Sequence, residues 1–382
     1  MSARLTLGYD GSSTLAPRTG VGRAALELLR ALAALEASDL ALHVLLNSLT
    51  RRPGPEHRLL ADRVRLVRRR RLGGRLVQAW ARGRGPLAED LLGTSVALWH
   101  AVSSCIPPVR AARRVVTVHD LAFLDDVPAA RARLGGALFH DSFPRLLPAC
   151  DAIVTPTQAV RARLLEAYRL PEERVVTIPW GLDAEAFHVE PERFVEIARH
   201  DCGIPAASYL LAVGDHQPRK RAGLLLELYA RLRAAEPATP PLVLLGWNAQ
   251  PPAELRARHE LHRHVIVLPR VPDDKLAGLY TGAVATVLTS RDEGFGFPLL
   301  EAQACGSPVV ASACPAWSEI AGPGTPLVAS DDPDAWVEAL RPLVFDQQAH
   351  DAAKDAGRAN AARFTWEACA RAHAALYRRL AS

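Results

Sequence analysis

Short apolar runs alternate with stretches that repeat apolar residues every three or four positions, from one end of the chain to the other. The apolar runs predict strands at 5–9, 40–46, 96–99, 115–118, 152–154 and 175–178, with helical periodicity between several of them, as at 24–35 and 159–168. Continuously apolar strands joined by helical crossovers predict a parallel sheet covered on both faces. A second series follows at 209–213, 242–245, 265–268, 283–288, 308–311 and 325–328, with helices at 224–234 and 332–340. The stretch 179–191 interrupts the rhythm and reads as a linker. The fold class is therefore α/β: two doubly wound, Rossmann-like parallel-sheet domains, 1–180 and 181–360, facing each other across a cleft. The tail 361–382 carries a last helix at 366–380 and is expected to pack back on the first domain. Sheets of this kind bind ligands at the carboxyl ends of their strands.

Composition adds a frame. The chain has 382 residues, 49% hydrophobic and 23% charged, enough for two ordinary cores. No apolar run reaches bilayer length, and the alternating start lacks the basic-then-apolar form of a signal peptide. The six cysteines are scattered without a CxxC pair, which disfavours a disulfide framework or a zinc site and points to the cytoplasm. Net charge is +5, concentrated between Arg51 and Arg84, with Arg68 to Arg71 in one run. That segment is read in two ways: a surface for an anionic partner, either a membrane face or a phosphate-bearing acceptor, or a solvated face in a chain that uses arginine as its default cation. Lysine occurs only at Lys220, Lys275 and Lys354.

The sharpest chemical signal is the segment from Arg291 to Glu301, Arg-Asp-Glu-Gly-Phe-Gly-Phe-Pro-Leu-Leu-Glu. An apolar strand leads into a glycine-bearing loop, then Pro298, then a helix. Proline suits a first helical turn, and the amides and dipole of that turn suit an anion or a sugar hydroxyl. Gly294 and Gly296 let backbone approach a ligand, while Glu293 and Glu301 address two parts of it. A second strand–loop–helix segment, Leu211 to Arg221, brings Arg219 and Lys220 to a strand's carboxyl end. Adjacent cations suit a diphosphate that gains charge as its bond breaks. In the first half, the segment Pro17 to Arg23 can bring Gly20 and Gly22 to a phosphate, although it is not the full GxGxxG fingerprint. His119 closes another strand at its carboxyl edge.

Together and in this order, these motifs resemble the retaining glycosyltransferases of family four, whose fold is GT-B. The resemblance covers nearly the whole chain. Its most specific element is the Glu293/Glu301 pair around Gly-Phe-Gly-Phe-Pro, flanked by Pro218-Arg-Lys, by the segment Ile178 to Asp183, and by Phe364-Thr-Trp-Glu. The resemblance implies that Lys220, Arg219, Gly20 and Gly22 bind the diphosphate, the two glycines as a loop closing over it. Glu293, Gly294, Phe295, Gly296 and Phe297 would hold the donor sugar, Glu301 the ribose, and Arg270, Val271 and Pro272 the base. His119, Glu293 and Lys220 would be catalytic. Two departures stand out: Asp215 lies where many members carry a phosphate-binding arginine, and Trp180 replaces the commoner asparagine before Gly181. The motif variants resemble mannosyl- or rhamnosyl-type members, which favours GDP-mannose as donor.

The expected reaction is a metal-independent, retaining hexosyl transfer from a nucleotide-diphosphate sugar, with no cofactor. Asp332-Pro-Asp334 matches a metal-binding DxD pattern but sits where aspartates cap a helix. His259, His262 and His264 read as a solvated helix end rather than a metal site. Two rival readings remain: a sugar–phosphate epimerase or phosphorylase of related architecture, and a nucleic-acid-binding protein using the arginine segment. Only Trp80 stands among those arginines, not the interleaved series of aromatics that single-strand binding uses, so no nucleic acid is expected.

Overall fold

The structure, a computed structural model, describes residues 4–15, 19–35, 39–70, 73–103, 105–110, 112–124, 134–247 and 261–382. Pro17, Arg18, Arg71 and His259 lie outside the described residues. The chain divides into two compact units, Met1–Gly181 with Trp366–Ser382, and Leu182–Thr365.

The first unit is built on a seven-stranded parallel sheet ordered β3-β2-β1-β4-β5-β6-β7. Its strands are β1 Leu5–Asp10, β2 Leu40–Asn47, β3 Arg65–Arg69, β4 Leu98–Ala101, β5 Arg113–Thr117, β6 Ala152–Thr155 and β7 Val175–Thr177. Leu7, Tyr9, Val44, Leu98 and Trp99 have no exposed surface, as expected for central strands covered on both faces. Sequence periodicity placed β4 two residues early and missed β3 altogether. β3 is an edge strand whose Val67 faces the core while Arg65 and Arg68 face solvent. Charge on an edge discourages pairing with another chain, and it also hides the strand from a search for apolar runs. The C-terminal helix Trp366–Ala381 belongs to this unit, where Arg378 pairs with Asp39 at 2.7 Å.

The second unit carries a six-stranded parallel sheet ordered β10-β9-β8-β11-β12-β13. Here β8 is Tyr209–Val213, β9 Leu242–Leu245, β10 Val265–Leu268, β11 Ala283–Leu288, β12 Val309–Ser312 and β13 Leu327–Val328. Leu226, Tyr229 and Leu232 of the helix Ala222–Ala235 and Trp336 and Leu340 of the helix Pro333–Phe345 fill one face. In each sheet the strand order reverses once: between β1 and β4 in the first, and between β8 and β11 in the second. Loops leave a reversal point in opposite directions, so a crevice opens between them at the carboxyl edge.

Candidate active site

The loops that follow β8 and β11 flank the reversal point of the second sheet, and they are laced together. Pro218–Lys220 forms a single 3-10 turn. The Lys220 carbonyl accepts from Thr289 Oγ1 at 2.7 Å, the Arg219 carbonyl accepts from the Arg291 amide at 2.8 Å, and the Arg219 guanidinium donates to the Asp292 carbonyl at 2.8 Å. Arg221 follows in the left-handed region, with φ 51°, a conformation uncommon outside glycine and costly for a long side chain. Its guanidinium bonds the Thr289 carbonyl, Ser312 Oγ and Asp331. One residue thus ties the ends of β11 and β12 to the Lys220 turn.

Glu293 sits between the two predicted cations. Lys220 Nζ donates to Glu293 Oε1 at 2.6 Å and Arg219 lies 3.0 Å from Oε2. Burial alone would raise the Glu293 pKa, but the charges of Lys220 and Arg219 and hydrogen bonds from Lys220 and Ser290 outweigh it and hold the carboxyl below its ordinary value. The cluster carries two positive charges and one negative, so it retains a net charge of +1 for an anion. Asp215 takes part indirectly. It accepts from the amide and side chain of Gln217, whose Oε1 accepts from Arg219 Nε at 3.2 Å. Asp215 therefore helps to aim Arg219.

Beyond Glu293 the chain turns through Gly296, at φ 108°, into the helix Phe297–Ala304, with Pro298 in its first turn. A Cβ on Gly296 would lie 2.0 Å from Trp317 Nε1, so both the torsion and the close approach require glycine. That Trp317 nitrogen is buried and has no hydrogen-bond partner among the described residues. Phe295 is 5% exposed and packs edge-on against Phe297 and Phe364, so its side chain supports the loop while its backbone remains the candidate sugar contact. Glu301 is 3% exposed on the same helix and accepts from Tyr280 Oη at 3.3 Å. Arg270, Val271 and Pro272 leave β10 at the same carboxyl edge, ahead of the helix Asp273–Thr281, with Arg270 and Pro272 exposed.

In the first unit, Gly20 and Gly22 lie in the first turn of the helix Gly20–Ala34, not in a loop. Thr19 caps that helix, and its Oγ1 takes the Gly22 amide at 3.0 Å, so this amide is already satisfied. His119 follows β5. Its Nε2 donates to the Val102 carbonyl at 2.7 Å, and its ring stacks on Trp180 with centroids 5.5 Å apart. Because a carbonyl only accepts, Nε2 carries the proton and Nδ1 is left as an acceptor. Burial lowers the His119 pKa against the opposing effects of the Val102 bond and Asp120, which keeps the ring neutral at neutral pH.

Arg221, Thr289, Ser312 and Trp317 escaped the sequence reading. Their contacts are made across the sheet, and no local pattern around them announces it. Asp332 caps the helix Pro333–Phe345 by accepting from the Asp334 amide at 3.1 Å, and Asp334 pairs with Arg231 at 2.6 Å. Within the arginine segment, Arg69 donates to the Leu91 carbonyl at 2.6 Å and Arg63 to the Ala33 carbonyl at 3.3 Å, near the end of the helix Gly20–Ala34. Part of that charge therefore serves the fold, while Arg52, Arg58, Arg65, Arg70, Arg75, Arg82 and Arg84 are exposed.

Comparison with known proteins bears on this arrangement. Residues 203–360 match the family described as glycosyl transferases group 1, and residues 18–186 match glycosyltransferase family 4. The O-antigen chain mannosyltransferase B of Escherichia coli is 27% identical over 379 residues, covering 92% of this chain and 94% of that one. A D-inositol 3-phosphate glycosyltransferase of Kineococcus radiotolerans is 32% identical over 296 residues, 72% of this chain and 66% of its own length. The chain thus spans less than two thirds of that second relative. Among solved structures, sucrose-phosphate synthase from Thermosynechococcus elongatus superposes with a TM-score of 0.74 at 21% identity over 99% of both chains. Anabaena HepE, in complex with UDP-glucose, superposes with a TM-score of 0.70 at 16% identity over 98% of this chain and 100% of that one.

Proposed function

Because the chain belongs to glycosyltransferase family four and is a GT-B glycosyltransferase, we propose that it transfers a hexose from a nucleotide-diphosphate sugar with retention of configuration and without a metal. The observation that carries this reading is the Lys220–Glu293–Arg219 cluster at the strand-order reversal of the second sheet. A diphosphate arriving there meets two pre-placed cations, and Glu293 is then released to the hydroxyls of the donor sugar. The amides of Gly294 to Phe297 and the helix dipole behind them add donors for the sugar, Glu301 takes the ribose, and Arg270 to Pro272 border the base. The first turn of the helix Gly20–Ala34 offers further amides to the phosphates, and His119 receives a sugar hydroxyl on Nδ1.

In the transfer, the acceptor oxygen bonds to the anomeric carbon as the bond from that carbon to the diphosphate oxygen breaks. The leaving diphosphate takes the acceptor's proton, so no protein nucleophile is needed. Lys220 and Arg219 stabilise the charge that grows on the leaving group, and once the donor is bound they are already placed to do so. The printed name of the Escherichia coli relative supports mannose as the transferred sugar, with GDP as the proposed carrier, while the UDP-glucose held by HepE keeps uridine sugars in the test. The acceptor is anionic or presented at an anionic membrane face, a reading that rests on the exposed arginines between Arg51 and Arg84. No described helix is long and apolar enough to cross a membrane.

The test is a thermal-shift series with GDP, GDP-mannose, UDP and UDP-glucose, each with and without EDTA. A ligand that binds only the folded chain raises the melting temperature with its affinity. A guanosine-selective shift that survives chelation is expected. No shift with any nucleotide would refute the donor site, and a shift that needs magnesium or manganese would refute metal independence.

A further inference from the structure

The first unit contains a stack of four buried or half-buried rings, of which the proposed transfer uses only His119. His119 lies on one face of Trp180, with centroids 5.5 Å apart and planes 24° from parallel. His373 lies 5.9 Å from Trp180 with planes 11° from parallel, and His100 lies 5.6 Å from His373 at 30°. Trp366 closes a side of Trp180 at 5.8 Å. Trp180 is 2% exposed, and His100 and His373 are fully buried.

His373 and His100 are both anchored to the C-terminal helix. His373 Nδ1 donates to the Cys369 carbonyl one turn earlier in the C-terminal helix, at 2.9 Å. His100 Nδ1 meets the hydroxyl of Tyr377 on the same helix at 2.7 Å, and its Nε2 meets Thr117 Oγ1 at 2.9 Å. Thr117 stands two residues before His119 in the chain. The C-terminal helix therefore reaches His119 by two routes, through Trp180 and through His100 and Thr117. His373 Nε2 is buried without a partner among the described residues. A buried ring nitrogen with nothing to bond is costly, and an apolar ring would fill the same place without that penalty. Burial pushes the His373 pKa down to about 4, so the imidazoles stack as neutral rings at neutral pH.

We propose that Trp180, backed by His373, is a positioning residue that fixes the ring plane of His119, so that Nε2 stays on the Val102 carbonyl and Nδ1 is presented as a bare acceptor. Trp180 is the residue that the family resemblance marks as a departure from asparagine, and the ring stack gives it a role. Asparagine would have no ring face to set against the imidazole. The inference rests on the proposed function only for the consequence that His119 meets the donor sugar; the orientation of the ring does not depend on it.

The experiment uses the full chain labelled with 15N-histidine, with His119→Ala to locate the resonance in long-range 1H–15N spectra. Wild type should show His119 as a single Nε2–H tautomer. Trp180→Leu should move both ring nitrogens toward averaged shifts, and Trp180→Phe, which keeps a ring face, should restore the single tautomer. With a donor identified, Trp180→Leu should lower kcat on the order of tenfold with a smaller change in donor KM, as a slightly misplaced catalytic contact does. In a His119→Ala background the same change should cost nothing further. If Trp180→Leu does not fold, His373→Leu carries the test from behind. An unchanged His119 tautomer in a folded Trp180→Leu or His373→Leu protein would overturn the proposal, as would an equal loss of kcat with and without His119. The spectra need no turnover: a tautomer that depends on Trp180 in a protein without transferase activity would overturn the proposed function and leave this inference standing.

Discussion

Replacing Lys220 with alanine separates the folding role of the ion cluster from its role in transfer. The Lys220 and Glu293 side chains are 14% and 12% exposed, so their 2.6 Å contact is poorly screened. At an effective dielectric of about 20, unit charges 4 Å apart interact by about 4 kcal/mol before desolvation is counted. Removing Lys220 does not orphan Glu293, because Arg219 remains 3.0 Å from its other oxygen. The stability cost should therefore stay near that of one charged hydrogen bond, about 1–3 kcal/mol. The transfer barrier should suffer more. Leaving-group charge develops only in the transition state, and loss of one preorganised partner there costs on the order of 10²–10³ in kcat, about 3–4 kcal/mol. Donor KM should change less, since the ground-state diphosphate still meets Arg219. The assay is release of the nucleotide diphosphate from the donor by the purified variant, with circular dichroism and a urea melt to establish folding. Turnover within about threefold of wild type in a folded variant would refute the assignment. So would a large rise in KM at unchanged kcat, which would reduce Lys220 to uniform binding.

Glu293→Gln tests the electrostatics from the other side. The folded-state pKa of Glu293 is depressed, so its stabilisation is complete above the unfolded carboxyl's pKa of about 4.3 and is lost as pH falls through the folded value. The stability gap between wild type and variant, read from urea midpoints, should hold from pH 7 to about pH 5 and close on further acidification; a gap independent of pH would contradict the ion cluster. Gly296→Ala combines a disallowed torsion with a clash on Trp317 and should lower stability by about 2–3 kcal/mol and abolish the donor-induced thermal shift; a fully stable, donor-binding variant would show that the loop relaxes freely. Arg65→Gln with Arg70→Gln should weaken co-sedimentation with anionic vesicles at low salt, at about 1 kcal/mol per arginine, while leaving donor affinity intact; equal recovery on neutral and anionic vesicles would return the segment to a solvated face. Arg69 is excluded from that variant because its guanidinium holds the Leu91 carbonyl.

The sequence by itself determined the α/β class, the parallel character of both sheets and the strand–loop–helix segments of the candidate site. Those properties are local. A strand covered on both faces must be apolar at successive positions, and a loop that admits a ligand between strand and helix must carry glycine and a helix-starting proline, as Gly294, Gly296 and Pro298 do. What failed locally was also informative. β3 is written in arginine because it is an edge strand with only one side chain in the core, and the Gly20–Gly22 segment reads as a loop because glycine resembles a turn residue, whereas the Thr19 cap makes it a helical turn. Only the tertiary structure decided which segments meet. Glu293 and Lys220 are 73 residues apart, and they are brought to 2.6 Å because β8 and β11 are neighbours at the reversal of strand order, a property of the whole sheet. Arg221 bonds Asp331 across 110 residues, and His100 meets Tyr377 across 277. Such contacts leave no periodic trace, because each is fixed by the path of the chain between its partners and by the cost of leaving a buried polar group unpaired. The motifs name the groups proposed to do the chemistry; strand order and the returning C-terminal helix set the distances between them.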